Sequence, residues 1–591
     1  MMRAANMMPA ERERVGERGA RWGELRPREV LVCALLVALF VGVRVWRLDG
    51  SCLWFDEVFS VHAARHGWGG LLEFVALDLI HPPLFYLLLK VWVALVGGEA
   101  VWWLRLFTVL AETAAVVPFL LLCRELGVRS GGGAVRVALL LLAVNGYLIQ
   151  HAQQLRMYGL LLLFALCSLW LFARFSGGDE RSGGWGLAVA LFVANLLLVY
   201  THYFGWLLVG LEGLFLVVWR RGKLKAFAVS VFALGVCFAP WVWLVWRASG
   251  AGEGLAQNIG WAARPRLPDI LQPFLLLHEP FRFRRNTYEP VVLRVDVWLA
   301  FAVFVPPFVA LGWRALRRRR AGAQTPVDEA ARNAATAWGD ADARSSGRDA
   351  GGQSPVRDAG AGLPERDAKG RSALAFLLFF SVSPVVVAFA LARVLPQSIW
   401  GTRHLIIIAP VYLLLAAIAL VSLRRPVWLA VTLKLLLACW LALAAMLWLM
   451  RRDAPPVWCA WETLARRVAE ADAGGEVRVY AAEDLVAYHL WYGLSSTGDG
   501  RFRVVAVRNL PGVAEDRAFF LPRGFGEVAG VEASAAMREE HFWVAFRDAQ
   551  ASTEHPLLRL LSERGYDTAT RFEVSASGQK AFVVSAKLRA R

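Results

Sequence analysis

The stretch His81-Pro82-Pro83-Leu84-Phe85-Tyr86-Leu87-Leu88-Leu89-Lys90-Val91-Trp92-Val93-Ala94-Leu95-Val96 decides how this chain is threaded. After the proline pair, Leu84 to Val96 is 13 mostly apolar residues. As a helix rising ~1.5 Å per residue it falls short of a ~30 Å hydrocarbon core, so it reads as an interfacial or re-entrant helix and not as a span. Longer apolar runs lie on either side of it, near 30–48, 101–122, 136–149, 157–173, 185–199, 204–219, 226–246, 297–313, 373–392, 405–423 and 427–450. That makes about eleven spans. With 84–96 left out of the count, one set of short loops collects sixteen basic residues, from Arg124 through Arg220, Arg221, Lys223 and Lys225 to Arg424 and Arg425. The opposite short loops hold Arg156, Arg393 and Arg403. The positive-inside rule then places the first set and the N-terminus in the cytoplasm, and counting 84–96 as a span would scatter this pattern. Arg44, Arg47, Arg451 and Arg452 fall on the outer side, where snorkelling at helix ends accommodates them.

The composition agrees. Of 591 residues 57% are hydrophobic, 12% aromatic and only 19% charged, which excludes a purely soluble protein. The net charge of +17 reports orientation and attraction to anionic lipid, and no nucleic-acid-binding motif accompanies it. Residues 1–29 read as a cytoplasmic N-terminal segment. The apolar run after them is too long for a removable signal peptide and lacks a small-residue cleavage site. Residues 30–320 and 373–450 form the two parts of a membrane core, joined by a disordered cytoplasmic linker, 321–372, rich in Ala, Gly, Arg, Asp, Ser and Pro. From 451 to 591 an amphipathic helix, Trp461 to Ala471, precedes alternating runs at Val477 to Tyr480, Phe502 to Val507, Phe542 to Phe546 and Ala581 to Ser585. This predicts a small soluble α/β domain on the outer face. Of seven cysteines only Cys52 and Cys459 lie in aqueous regions; a disulfide between them is conceivable, but two unrelated small residues are the favoured reading. No metal-binding spacing such as C-x-x-C occurs.

In this topology the polar constellations all fall on the outer side: Leu53-Trp54-Phe55-Asp56-Glu57, Asp78-x-x-His81-Pro82-Pro83, Gln150-His151 through Arg156-Met157-Tyr158, Tyr200-Thr201-His202-Tyr203 and Trp400-Gly401-Thr402-Arg403-His404. Any one of them could merely anchor a helix at the membrane boundary. Converging from separate loops, they describe an active site. An Asp-Glu pair at a helix start is equally the pattern of an N-cap and a first-turn acid. Arg105 and Glu112 share a face of one span but stand ~10 Å apart along its axis, so they read as stabilisers of the bundle and not as a direct pair.

Taken in order, Trp54-Phe55-Asp56-Glu57, Asp78-x-x-His81-Pro82-Pro83-Leu84-Phe85-Tyr86, Leu104-Arg105-Leu106, Gln153-x-x-Arg156-Met157-Tyr158, Thr201-His202-Tyr203 and Arg403-His404 resemble the GT-C membrane glycosyltransferases. Within them the likeness is to the family-39 protein O-mannosyltransferase-like and aminoarabinose-transferase-like group. The resemblance implies transfer of a hexose or pentose from a polyprenyl-phosphate-linked donor to a protein, lipid or glycan acceptor. It further implies a plasma (inner) membrane of a bacterium, with the site on the periplasmic or exoplasmic face. Such chemistry needs a base near the acceptor and cations against the departing phosphate. Asp56 matches the family's catalytic aspartate, with Glu57 beside it. His81, Arg156, Tyr158, His202 and Arg403 are the expected substrate-binding residues, the arginines being permanently charged, fork-shaped phosphate ligands. Some relatives carry a lysine where His81 stands, which leaves its role open: it can meet phosphate, or join Asp56, Glu57, Asp78 or His202 around a divalent cation. Cofactor and metal stay unknown at this stage. The competing class is a non-catalytic carrier or flippase for lipid-linked sugars, which should place its polar residues or helix breaks at mid-membrane.

Overall fold

The computed structural model describes residues 27–128, 133–177, 185–250, 262–281, 295–317, 363–451, 455–472, 474–498, 500–513, 520–548 and 555–589, the side chains of 363–371 apart. Seven of the described helices are long and apolar enough to cross a membrane: Val101–Glu125, Tyr158–Gly177, Arg221–Ser249, Val295–Arg317, Ser372–Val394, Thr402–Ser422 and Val427–Met450. The other expected spans correspond to Pro27–Val45, to Gly133–Val144 followed by Gly146–Ala152, and to the shorter apolar helices Trp185–Thr201 and Phe204–Trp219. The chain is a polytopic helical membrane protein with a small C-terminal sheet domain. The linker predicted over 321–372 lies outside the described residues as far as 362, and the helix Leu363–Val394 begins within its last part.

Leu84–Val96 is a single helix of 13 residues between Pro83 and Gly97. Gly97 adopts φ +69°, a left-handed stop that glycine reaches without penalty. Lys90 of this helix donates to the carbonyls of Ala64 (3.1 Å) and His66 (2.6 Å), so its charge satisfies the C-terminal end of the neighbouring helix Phe55–Arg65.

Buried ion pairs lock the helices that carry the polar loops. Arg44 does not snorkel. It is fully buried and grips Glu112 at 2.9 Å, while donating to the carbonyls of Phe40, Leu142 and Ala143. A guanidinium this deep is tolerable only because its donors meet acceptors that the helices supply in fixed positions. Arg105 and Glu112 each bind a different partner, Glu57 and Arg44, so both stabilise the bundle without touching one another in a pair. Gly159 allows Tyr158–Gly177 to press on the helix of Thr108: a Cβ there would stand 2.6 Å from the Thr108 carbonyl. Thr108 in turn donates to the Ala152 carbonyl at 2.7 Å, fixing both ends of the turn that carries Arg156.

The C-terminal domain is one six-stranded sheet in the order β3-β2-β1-β4-β6-β5, where β1 is Val477–Ala481, β2 Phe502–Arg508, β3 Ala529–Glu532, β4 His541–Asp548, β5 Tyr566–Ala576 and β6 Gln579–Leu588. The β3-β2-β1-β4 part is parallel, and β4-β6-β5 is antiparallel. Alternation predicted four of these strands. It missed β3, which has four residues, and β5, whose polar run Tyr566-Asp567-Thr568-Ala569-Thr570-Arg571 is mostly exposed. Helix Ala460–Ala471 covers one face, as its apolar stripe predicts, and packs on Asp484–Ser496.

Contrary to the favoured sequence reading, Cys52 and Cys459 are bonded to each other, across 407 residues of sequence. Their spacing carries no disulfide signal, because only the folded chain brings the start of the domain to the loop after the first helix. A second contact joins the same parts: His62 meets the Tyr488 hydroxyl at 3.1 Å.

Candidate active site

The site starts from the first turn of helix Phe55–Arg65, where Trp54 is the N-cap. Glu57 accepts the Trp54 N–H at 3.0 Å, the two Arg105 nitrogens at 2.9 and 2.8 Å, and the Leu155 N–H at 2.7 Å. It is 1% exposed. Four donors saturate this carboxylate, so the catalytic role expected of Glu57 gives way to a structural one: it holds Arg105 and the turn before Arg156. The capping reading of the Asp-Glu pair thus describes Glu57. Asp56 has a different surrounding.

The Asp56 carboxylate is 28% exposed and stands between two arginines, 3.8 Å from Arg156 Nη2 and 3.9 Å from Arg403 Nη1. Arg156 is itself nearly buried and is aimed by two acceptors, the Asp56 carbonyl (3.1 Å) and His81 Nε2 (3.2 Å). Because arginine can only donate, His81 Nε2 is the acceptor and its Nδ1 carries the proton, which it donates to Asp78 Oδ2 at 2.8 Å. Burial first, and then the Arg156 guanidinium, hold the His81 ring well below the ordinary histidine range, with Asp56 opposing them. His81 therefore orients Arg156 as a neutral ring. Burial also pushes the Asp78 carboxyl up to about 7, against the pull of the Arg156 and Arg523 guanidiniums. For Arg156 burial works against the charge, but Asp56, Tyr86, Tyr158 and Asp78 outweigh it and hold the group above its ordinary value.

The other expected residues close around this centre. His202 Nδ1 accepts the Phe204 N–H at 3.1 Å, which leaves the proton on Nε2. That Nε2 is buried and has no hydrogen-bond partner among the described residues. The His202 ring lies 6.0 Å from that of His81 and 5.0 Å from that of His404. Burial, then His81 and the two arginines, keep His202 well below the ordinary histidine range, so it too is a neutral donor. Tyr158 is buried against His151, with ring centroids 4.8 Å apart. Arg156 Nε and the Tyr86 hydroxyl are likewise buried without a partner among the described residues. Asp56, His81, Arg156, Tyr158, His202 and Arg403 are thus brought together, and Glu57 is turned away. Among the described residues no three His, Cys, Asp or Glu side chains gather as a metal site, and the cation-binding set weighed from the sequence does not converge.

Site residues beyond those predicted are Asp78, Tyr86 and His404, all within the quoted motifs, and Arg523, which is not. Arg523 comes from the soluble domain, and nothing in the turn Leu521-Pro522-Arg523-Gly524-Phe525 announces where it points.

No protein-family model and no curated protein matches the sequence. Among solved structures, the chain is similar to ArnT from Cupriavidus metallidurans bound to undecaprenyl phosphate, at 14% identity and a TM-score of 0.53, covering 94% of this chain and 97% of that one. The chain has the GT-C fold. A looser likeness, at 13% identity and a TM-score of 0.40, is to the archaeal oligosaccharyltransferase AglB from Archaeoglobus fulgidus in complex with an inhibitory peptide and a dolichol-phosphate, over 79% of this chain and 63% of that one. Only the fold rests on the ArnT likeness, which spans both the GT-C membrane core and the sheet domain.

Proposed function

We propose that this protein is a glycosyltransferase that moves a sugar from a polyprenyl-phosphate-linked donor to an acceptor on the outer face of a bacterial plasma membrane. The observation that carries the reading is the partly exposed Asp56 carboxylate held between the Arg156 and Arg403 guanidiniums. A base and two fixed cations at one point are what the reaction needs. Asp56 takes the proton from the acceptor hydroxyl or amine as that atom bonds to the anomeric carbon. The bond from that carbon to the phosphate oxygen breaks, and its electron pair leaves with the phosphate, whose charge falls on Arg156 and Arg403. The His202 Nε2–H and the Tyr86 hydroxyl are further donors for the same oxyanion. His81 and Asp78 act through Arg156 by aiming its fork.

Further support comes from the GT-C fold shared with a protein crystallised with undecaprenyl phosphate. A disulfide between Cys52 and Cys459 suits an oxidising compartment, and so favours the outer face. The test is direct. Purified protein in lipid nanodiscs should move radiolabel from a polyprenyl-phosphate sugar to an acceptor fraction. Mass spectrometry of envelope proteins, lipids and glycans from cells with and without the chain should show the same hexose or pentose missing. Unchanged envelopes together with no transfer in the nanodiscs would sink the reading.

A further inference from the structure

Arg523 belongs to the soluble domain yet is only 7% exposed, and none of its Nε, Nη1 and Nη2 atoms has a hydrogen-bond partner among the described residues. A desolvated guanidinium with unused donors is costly, and soluble domains do not retain one without a use. Its placement is built and not accidental. The turn Pro522 to Phe525 closes with a 3.1 Å bond from the Phe525 N–H to the Pro522 carbonyl. Gly524, at φ +72°, supplies its left-handed residue, and a Cβ at that position would stand 2.6 Å from Leu77 Cδ1, on the residue next to Asp78. Both flanks are anchored: the Leu521 N–H binds Asp484 at 2.9 Å, and Phe525 packs 4.7 Å from Trp491 and 5.0 Å from His62. Held this way, the Arg523 guanidinium reaches the field of Asp78, the carboxylate that orients His81 and through it Arg156.

We propose that Arg523 is a substrate-binding residue: the soluble domain delivers its guanidinium to the membrane-face site to hold a phosphoryl oxyanion of the lipid-linked donor, beside Arg156 and Arg403. The proposal rests on the reading of the site as one for a polyprenyl-phosphate donor and extends it by a third cation. Arg156 Nε and the Tyr86 hydroxyl, in the field of Asp56 and Asp78, and the Arg523 donors, in the field of Asp78, are all buried N–H or O–H groups without a partner among the described residues. Such a set fits an anion and repels a cation. Three guanidiniums suit either a monophosphate shared among them or a diphosphate whose second phosphate reaches Arg523, and the two cases share the same oxyanion chemistry.

The full chain in nanodiscs is titrated with undecaprenyl phosphate and, separately, with undecaprenyl diphosphate, each read by native mass spectrometry. Parent, Arg523→Gln and Arg523→Lys are compared, with Arg503→Gln on the exposed sheet surface as the control. Melting temperatures are measured without ligand, and each titration is run well below them, so unfolding cannot imitate lost affinity. Losing charge-assisted hydrogen bonds should weaken binding roughly ten- to hundredfold in Arg523→Gln and less in Arg523→Lys. The ligand-free melting temperature should stay at the parent value or rise, because an uncompensated buried charge has been removed. Weakening with both lipids places Arg523 on the phosphate next to the lipid, and weakening with the diphosphate alone places it on the second one. A parent that binds both lipids and an Arg523→Gln variant that binds them equally well would overturn the role of Arg523 and leave the donor site standing. A parent that binds neither lipid would overturn the donor site and this inference with it.

Discussion

Asp56 and Glu57 are neighbours on one helical turn, but they end in two regions of opposite kind. Glu57 faces inward to Arg105 and two backbone N–H groups; every lone-pair direction is taken, and water is excluded. Asp56 keeps 28% of its side chain exposed, with its two arginines at 3.8 and 3.9 Å. The first arrangement stores rigidity, and the second keeps a carboxylate within reach of solvent between two cations. A carboxylate is suited to catalysis by what it has not been given, and the closed pair beneath it supplies the fixed geometry that an open pair cannot maintain alone.

The difference can be broken most severely at Asp56. Asp56→Asn removes the proposed base with almost no change of shape, so turnover of a radiolabelled polyprenyl-phosphate sugar should fall by about 10²–10⁴-fold while the melting temperature stays near the parent value. Near-normal turnover would show that some other group takes the proton. Next comes Glu57→Ala, which leaves Arg105 buried without its carboxylate partner, with backbone carbonyls remaining. The expected loss is ~3–5 kcal/mol of stability, read as a lowered denaturation midpoint or failure to accumulate in the membrane. A stable but inactive Glu57→Ala protein would return Glu57 to the catalytic centre.

A smaller effect is expected from Arg156→Lys and Arg403→Lys. Lysine keeps the charge but loses the planar two-pronged donation, so donor binding should weaken roughly ten- to hundredfold, with Arg156→Lys the worse because His81 and the Asp56 carbonyl aim its fork. Parent-like binding at both positions would make these arginines membrane anchors. The smallest effect sharpens the comparison through pH. Burial raises Asp78 from 3.8 to about 7, so its proton is bound more tightly in the folded protein; the stability it contributes is present at low pH and is lost as pH rises through about 7. In the proposed donor site the carboxylate would above that pH also compete with donor phosphate for the Arg156 and Arg523 guanidiniums. Between pH 6 and 8 donor affinity should fall about three- to tenfold, and Asp78→Asn should flatten the profile. A sugar phosphodiester keeps one charge over this range, so a slope that survives in Asp78→Asn would assign it to another group.

Much of this molecule is legible without coordinates because hydropathy and charge act locally. Apolar runs near bilayer length, basic loops on one side and alternating strands after residue 455 are each readable within a few residues, and the spans and the sheet domain follow from them. The same holds for the loops carrying Asp56, His81, Arg156, His202 and Arg403, since polar groups at the end of an apolar helix stand out against their surroundings. Which of those groups bind each other does not follow. Arg105 finds Glu57 across 48 residues, Arg44 finds Glu112 across 68, and Cys52 finds Cys459 across 407. No periodicity encodes such separations, so Arg44 reads as a snorkelling end and the two cysteines as unrelated. Arg523 is the extreme case: in sequence it is one arginine in a Pro-Arg-Gly turn, and only the docking of Gly524 against Leu77 brings it into the field of Asp78 in another domain. The sequence alone determined the solvent each segment would choose, because transfer free energy is a property of local composition. The tertiary structure alone decided which charges would be satisfied and which left open, because that depends on distances no segment sets for itself.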